Sequence, residues 1–128
     1  MMTTEECFDG LHVLVAEDNN VNAFVITQFF TRWGIITDVA ENGSIAVDMV
    51  SQKKYDLVFM DLNMPVMDGC EAAKIILANH TGTKIIALTA MTKEETVEAI
   101  EGTGIIGYVT KPFNPDILCQ AIKNALNN

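Results

Sequence analysis

Short apolar runs alternate along the chain with longer segments in which apolar residues recur at helical spacing. LHVLVA (11–16), IITDVA (35–40), YDLVFM (55–60), KIIALT (84–89) and GYVT (107–110) have the length and composition of buried strands. The intervening stretches 20–33, 43–54, 70–79, 92–101 and 115–126 carry helical periodicity. Gly34 stops the first of these, while Asn114 and Pro115 supply an N-cap and a preset first turn for the last. Five strands alternating with five helices require right-handed crossovers and a parallel sheet covered on both faces. The pattern therefore predicts one doubly wound α/β domain, a (βα)5 unit over residues 11–127 behind an N-terminal extension of residues 1–10, with no internal repeat.

With a flavodoxin-like strand order, 2-1-3-4-5, the sheet reverses between its first and third strands. Ligands bind outside the carboxyl ends of the strands at such a point. Four of the strands end in polar or charged residues: Glu17 and Asp18 at the first, Asp61 at the third, Thr89 at the fourth and Lys111 at the fifth. Any one of them is an ordinary loop opening; four together mark a site. Three convergent carboxylates repel one another, and a hard divalent cation relieves the repulsion. Zinc does not fit, because no Cys or His accompanies the acids; His12 reads as a packed strand residue and His80 as a surface one. Mg²⁺ beside Asp61, facing a hydroxyl and an ammonium, suits phosphoryl transfer to a carboxylate nucleophile.

Composition narrows the partners. A formal charge of −9, with only eight Lys and Arg among 128 residues and no basic run, argues against nucleic acid and anionic membranes. Cys7, Cys70 and Cys119 lie far apart without metal spacing and read as reduced thiols of a cytoplasmic protein. No apolar stretch approaches a membrane span, and MMTTEECFDG lacks a signal-peptide core.

Four blocks, VLVAEDNNVN (13–22), DLVFMDLNMPVMDG (56–69), IIALTA (85–90) and YVTKPF (108–113), resemble in unbroken order the receiver domain of two-component response regulators. The likeness runs from Leu11 to Leu126 and is nearest to receivers of hybrid histidine kinases and phosphorelays. The resemblance implies Asp61 as acceptor of a phosphoryl group from a partner phosphohistidine, and slow loss of that group. It implies Mg²⁺, with Mn²⁺ able to substitute, held by Glu17, Asp18, Asp61 and the backbone carbonyl of Asn63. It implies that Lys111, joined to Pro112 by a cis peptide, pairs with the phosphoryl group, with Thr89, Ala90 and Tyr108 as phosphoryl-binding and switch residues. The face of the fourth helix, fifth strand and fifth helix would then change. The implied partner is a histidine kinase or histidine phosphotransfer protein, with phosphorylation-dependent self-association and with neither nucleic acid nor membrane contacted by this domain. The implied setting is cytoplasmic, including the cytoplasmic part of a membrane-bound hybrid kinase, and the implied role is signalling rather than turnover of a substrate.

Two finer expectations follow. On the first helix, Asn22, Val25, Ile26, Phe29 and Trp33 share an arc that should face the sheet, leaving Val21, Phe24 and Gln28 outward. In receivers resembling this one, that stripe docks the partner's helical bundle. Met91, two residues after Thr89, should overhang the phosphoryl site and hinder water, tuning lifetime.

Competing functions fit less well. A dehalogenase-like phosphatase would place its Asp nucleophile in a D-x-D arrangement after the first strand, whereas that strand ends Glu-Asp here. A receiver that has lost phosphorylation would not retain Glu17, Asp18, Asp61, Thr89 and Lys111 together. FMN binding is disfavoured by EDNN after the first strand. GTGIIG (102–107) satisfies G-x-G-x-x-G, but it follows a helix and leads into a strand, so Gly102 and Gly104 read as helix-ending and turn glycines. Ile105 and Ile106 then bring apolar surface near Tyr108, at least one of them packing under the fourth helix.

Overall fold

The computed structural model describes residues 8–127. Strands β1 (His12–Ala16), β2 (Ile36–Ala40), β3 (Leu57–Asp61), β4 (Ile85–Thr89) and β5 (Gly107–Thr110) alternate with helices α1 (Asn20–Arg32), α2 (Gly43–Gln52), α3 (Gly69–Asn79), α4 (Lys93–Ile100) and α5 (Pro115–Leu126). All strands pair in parallel in the order β2-β1-β3-β4-β5, so the expected (βα)5 topology is observed.

The apolar runs are continuous because the sheet is buried on both faces. Val13, Val15, Leu57, Phe59, Ile86 and Leu88 point toward α1 and α5, where Ile26, Phe30, Leu118 and Ile122 meet them. Leu14, Val58, Met60, Ile85 and Ala87 point the other way, toward Ala46 and Val50 of α2 and Ala72, Ala73 and Ile76 of α3. Phe30 and Phe59 are fully buried with ring centroids 5.3 Å apart. Burial of each such side chain stabilises the fold by about 1.5–3 kcal/mol.

Helix starts are fixed locally. Asn19, Asn42, Asp68, Thr92 and Asn114 each accept a backbone N–H from the first turn of the helix that follows. Gly34, Gly102 and Gly104 have φ of 81°, 79° and 88°, the left-handed conformation expected where a helix ends or the chain turns. Ile105 is buried in the cluster that Ala99 and Ile100 pack against, while Ile106 stays 42% exposed.

The buried stripe of α1 differs from the expected arc. It consists of Ala23, Ile26 and Phe30, continued by Trp33, while Asn22, Val25 and Phe29 lie half-buried at its margin. Phe29 stacks on Trp33 from that margin, with centroids 6.1 Å apart, while Phe30 takes the buried position against Phe59. Helix α2 ends at Gln52, two residues early; Lys53 turns to extended backbone, its ammonium 3.0 Å from the Asp38 carboxylate. Residues 8–10 pack back onto this body: the Phe8 N–H donates to the Trp33 carbonyl (2.8 Å) and its ring meets Trp33 edge-on. Cys70 is partly buried and Cys119 buried, both as thiols, while Cys7 lies outside the described residues.

Candidate functional site

The carboxyl ends of β1, β3 and β4, with the residue following β5, surround one open cleft of about 730 Å³. Asp61 closes β3 rather than following it, and its side chain is buried. The loop after it folds back tightly: the Gly69 N–H donates to the Leu62 carbonyl (3.1 Å), and a side chain at Gly69 would collide with the Asp61 carbonyl. Only glycine lets α3 start so close to the acid.

Three carboxylates converge. One oxygen from each of Glu17, Asp18 and Asp61 can lie within 4.8 Å of the others, with Glu17 and Asp61 buried and Asp18 exposed. Lys111 lies across them, its ammonium 2.8 Å from Asp61 Oδ2 and 3.0 Å from Glu17 Oε1. Asp61 Oδ1 accepts the Asn63 N–H (3.0 Å), and Glu17 Oε2 accepts the Asn19 N–H (3.1 Å). Glu17 Oε1 is at ion-pair distance from Lys111 but lacks hydrogen-bond geometry, so this buried oxygen has no hydrogen-bond donor.

One ammonium against three acids leaves the site short of positive charge. Burial, then the adjacent Asp61, pushes Glu17 up to about 7 even though Lys111 and the Asn19 N–H pull the other way. Burial opposes the Lys111 ammonium too, but its bonds to Asp61 and Glu17 win and hold it above the usual lysine range. An all-oxygen donor set, a protonation-prone buried acid and an orphaned carboxylate oxygen fit a hard divalent cation.

The other expected residues separate into those inside the cleft and those outside it. Thr89 is buried; Ala90 is exposed and Met91 half-buried, and all three line the cleft with Asn63. Thr89 Oγ1 accepts the Met91 N–H (2.9 Å). Tyr108 is half-buried on the face shared with α4, and the Lys111–Pro112 peptide is cis. Val21 and Phe24 are 70% and 63% exposed, with Gln28 also at the surface. His12 is half-buried in its strand and His80 is exposed.

Sequence reasoning passed over Asn19, Asp68 and Glu95 and turned Asn22 toward the sheet, yet all four line the cleft. Glu95 was visible as the fourth member of T-x-x-E: its carboxylate accepts the Thr92 N–H (3.0 Å) in a capping box.

A 2-1-3-4-5 parallel sheet with an acidic cluster, a hydroxyl and a lysine at its carboxyl edge defines a flavodoxin-like α/β domain with a charged cleft at its switch point. The sequence model of the response regulator receiver domain matches residues 13–123, and the chain belongs to that family. It is 33% identical over 129 residues to hybrid signal transduction histidine kinase K of Dictyostelium discoideum, covering 94% of this chain but 11% of that protein. It is 35% identical over 114 residues to chemotaxis protein CheY of Halobacterium salinarum, covering 89% of this chain and 95% of that one. The chain thus spans a small part of the hybrid kinase and nearly all of the chemotaxis protein. Among solved structures, the receiver domain of a Pseudomonas aeruginosa sensor histidine kinase, with magnesium in its active-site cleft, superposes with a TM-score of 0.86 at 31% identity. That match covers 93% of this chain and 99% of the other. A chain in the co-crystal of a Saccharomyces cerevisiae histidine phosphotransfer protein with the receiver of its downstream regulator also gives 0.86 at 31% identity, covering 92% and 90%. Among the described residues, no helix is long and apolar enough to cross a membrane.

Proposed function

We propose that this receiver domain accepts a phosphoryl group on Asp61 from a phosphohistidine of a partner protein and uses it as a signal, without turnover of a separate substrate. The observation that carries the reading is the buried Asp61 carboxylate, bridged by Lys111 at 2.8 Å and set among Glu17 and Asp18.

In the step, an Asp61 oxygen attacks phosphorus, an O–P bond forms and the P–N bond of the phosphohistidine breaks. The departing imidazole nitrogen takes up a proton. Glu17, Asp18, Asp61 and the Asn63 carbonyl would hold Mg²⁺, or Mn²⁺ in its place, which when bound supplies charge neutralisation at the phosphoryl oxygens. Lys111 is already directed at the acceptor carboxylate and supplies a second positive charge. Thr89 offers a hydroxyl at the same rim, and the Ala90 backbone follows it. Tyr108, three residues before Lys111, links the rim to the α4-β5-α5 face, where phosphorylation would favour a minor conformation.

Partner docking falls to Val21, Phe24 and Gln28 beside the cleft. The co-crystallised yeast receiver and the hybrid kinase relative support a histidine phosphotransfer protein or histidine kinase as that partner. Such a domain would work in the cytoplasm, alone or within a larger kinase.

The test is incubation with acetyl phosphate and Mg²⁺, followed by intact mass. One added phosphoryl group is expected, absent in Asp61→Asn and absent with a chelator. Labelling that persists in Asp61→Asn refutes the assignment.

A further inference from the structure

A second open cleft, of about 670 Å³, lies at the opposite edge of the sheet. It is lined by residues 50–55, which carry the chain from α2 into β3, and by residues 79–83, which carry it from α3 into β4. The five-residue length of β3 separates it from Asp61, and the two clefts share no lining residue. Its volume falls within the roughly 300–1,000 Å³ of small-molecule sites.

Its charge is the reverse of the first cleft's. The chain carries 17 acidic residues and none of them lines this cleft, whereas Lys53, Lys54 and His80 do. Cations in such places commonly answer the negative ends of helices, and α2 and α3 both end here. Those ends are answered by other groups. The Ser51 hydroxyl donates to the Asp48 carbonyl (2.6 Å) and the Lys53 N–H to the Met49 carbonyl (3.0 Å). The Asn79 amide donates to the Ile75 carbonyl (3.0 Å) and the His80 N–H to the Ile76 carbonyl (2.7 Å). Four helix-end carbonyls thus have donors before any side-chain cation is used.

The three basic side chains differ in how they are held. Lys53 is fixed by a chain of contacts: the buried Tyr55 hydroxyl donates to Asp38, and that carboxylate holds the Lys53 ammonium at 3.0 Å, above the Tyr55 ring. The Lys54 and His80 side chains are exposed and have no ion pair or hydrogen bond among the described residues. Gln52, Thr81 and Thr83 add an amide and two hydroxyls to the lining, while its apolar side chains, Val50 and Tyr55, are each only 8% exposed. An acyl chain or a nucleobase finds no apolar wall there.

We propose that this cleft binds a small sugar phosphate. The phosphate meets Lys53, Lys54 and His80, and the sugar hydroxyls meet Gln52, Thr81 and Thr83. A phosphate ester offers three terminal oxygens to these three side chains, where a carboxylate offers two, and lysine binds phosphate well as a point charge. The site is independent of the phosphoacceptor reading, because none of its residues belongs to the acidic cleft.

The probe is ribose-5-phosphate, titrated into the isotope-labelled whole chain in chelator, so that no divalent cation draws phosphate to the acidic cleft. Backbone amide shifts are compared with those caused by ribose, inorganic phosphate, AMP and sulfate at matched ionic strength. Saturable shifts at residues 50–55 and 79–83 are expected, with tighter binding than ribose or inorganic phosphate alone and a dissociation constant on the order of 1 mM. Lys54→Gln and His80→Gln lie at exposed positions that the fold does not depend on. Together they should weaken binding about tenfold, roughly 1.4 kcal/mol. Shifts that do not saturate, shifts centred on residues 17–19 and 61–63, or equal binding by sulfate overturn the proposal. An affinity indifferent to both substitutions overturns it as well. Tighter binding of AMP than of the sugar phosphate makes a nucleotide the ligand and rejects the assigned class. None of these outcomes bears on Asp61, which labelling by acetyl phosphate decides separately.

Discussion

Replacing Lys111 by Met tests the electrostatics of the cleft more directly than removing any acid. The Lys111 side chain is 18% exposed, and its ammonium holds two carboxylates whose side chains are 3% exposed or less. Breaking a buried pair costs about 3–5 kcal/mol, because the remaining charge is left without a counter-charge. Glu17 takes up a proton readily in this setting, which relieves part of the penalty, so a loss of about 2–4 kcal/mol is the reasoned figure near neutral pH without divalent cations. Magnesium should reverse much of it. A cation that binds only the folded chain stabilises by about 2.7 kcal/mol at 100 times its dissociation constant. Its affinity should rise in the variant, because Lys111 no longer repels it. The assay is urea unfolding of both proteins, each with chelator and with a magnesium series. The expected outcome is a lower midpoint for Lys111→Met in chelator and a larger magnesium-induced gain than in the parent chain. Equal stability in chelator, or an equal or smaller magnesium gain, refutes the picture of a site short of positive charge.

Three further outcomes follow from other parts of the fold. The Tyr55 hydroxyl donates to Asp38 (2.7 Å) and, ahead of Lys53, holds that carboxyl below its usual range. Because Asp38 is about a third exposed, Tyr55→Phe should cost only about 1 kcal/mol. A depressed folded pKa stabilises above the unfolded value near 3.9 and the gain disappears as pH falls through the folded value. Urea midpoints of the two proteins should therefore converge in acid; a gap that stays constant with pH removes Asp38 as its cause. Phe24→Ser should slow phosphotransfer from a histidine-bearing partner roughly tenfold, equivalent to about 1.4 kcal/mol, while labelling by acetyl phosphate is unchanged. Equal loss with both donors denies Phe24 a docking role. Met91→Glu should shorten the life of phosphorylated Asp61 by admitting and polarising water, measured by decay of the labelled form; an unchanged decay rate rejects the shielding role.

The fold was legible because strands buried on both faces leave an unbroken apolar signature, and each is followed by a polar residue at the edge where the cleft lies. Asp61, Glu17 and Lys111 could be grouped from strand ends alone. Their distances could not, since they depend on Gly69 drawing α3 over Asp61 and on the path of the chain after β5. The rotation of α1 was also illegible for a definite reason. Val25-Ile26 and Phe29-Phe30 are doublets that support two adjacent apolar stripes equally well, and only Phe59, 5.3 Å from Phe30 across the interface, selects one. The Phe8–Trp33 contact joins two segments whose sequences give no hint of each other. Val66 adopts φ 70° and is 82% exposed, a strained position for a β-branched residue costing about 1–3 kcal/mol that no local propensity would suggest.

The placement of strain and weak packing bears on how a signal would leave the cleft. Helix α4 buries only Thr96 completely, and its exposed acids oppose the dipole at its C-terminal end. Its other end is held by the Thr92–Glu95 capping box and, one residue earlier, by the Met91 N–H donated to Thr89 Oγ1. Helices α2 and α3, by contrast, each bury three or more residues against the sheet or one another. On the proposed reading, a Thr89 hydroxyl turned toward a phosphoryl oxygen leaves the Met91 N–H without its acceptor. The disturbance then arrives at the helix with the least burial to resist it, through the residue that starts its N-terminal turn. Local opening is easiest where few apolar contacts must break. On that reading, a site built from rigid strand ends acts on α4 while the strands themselves stay fixed.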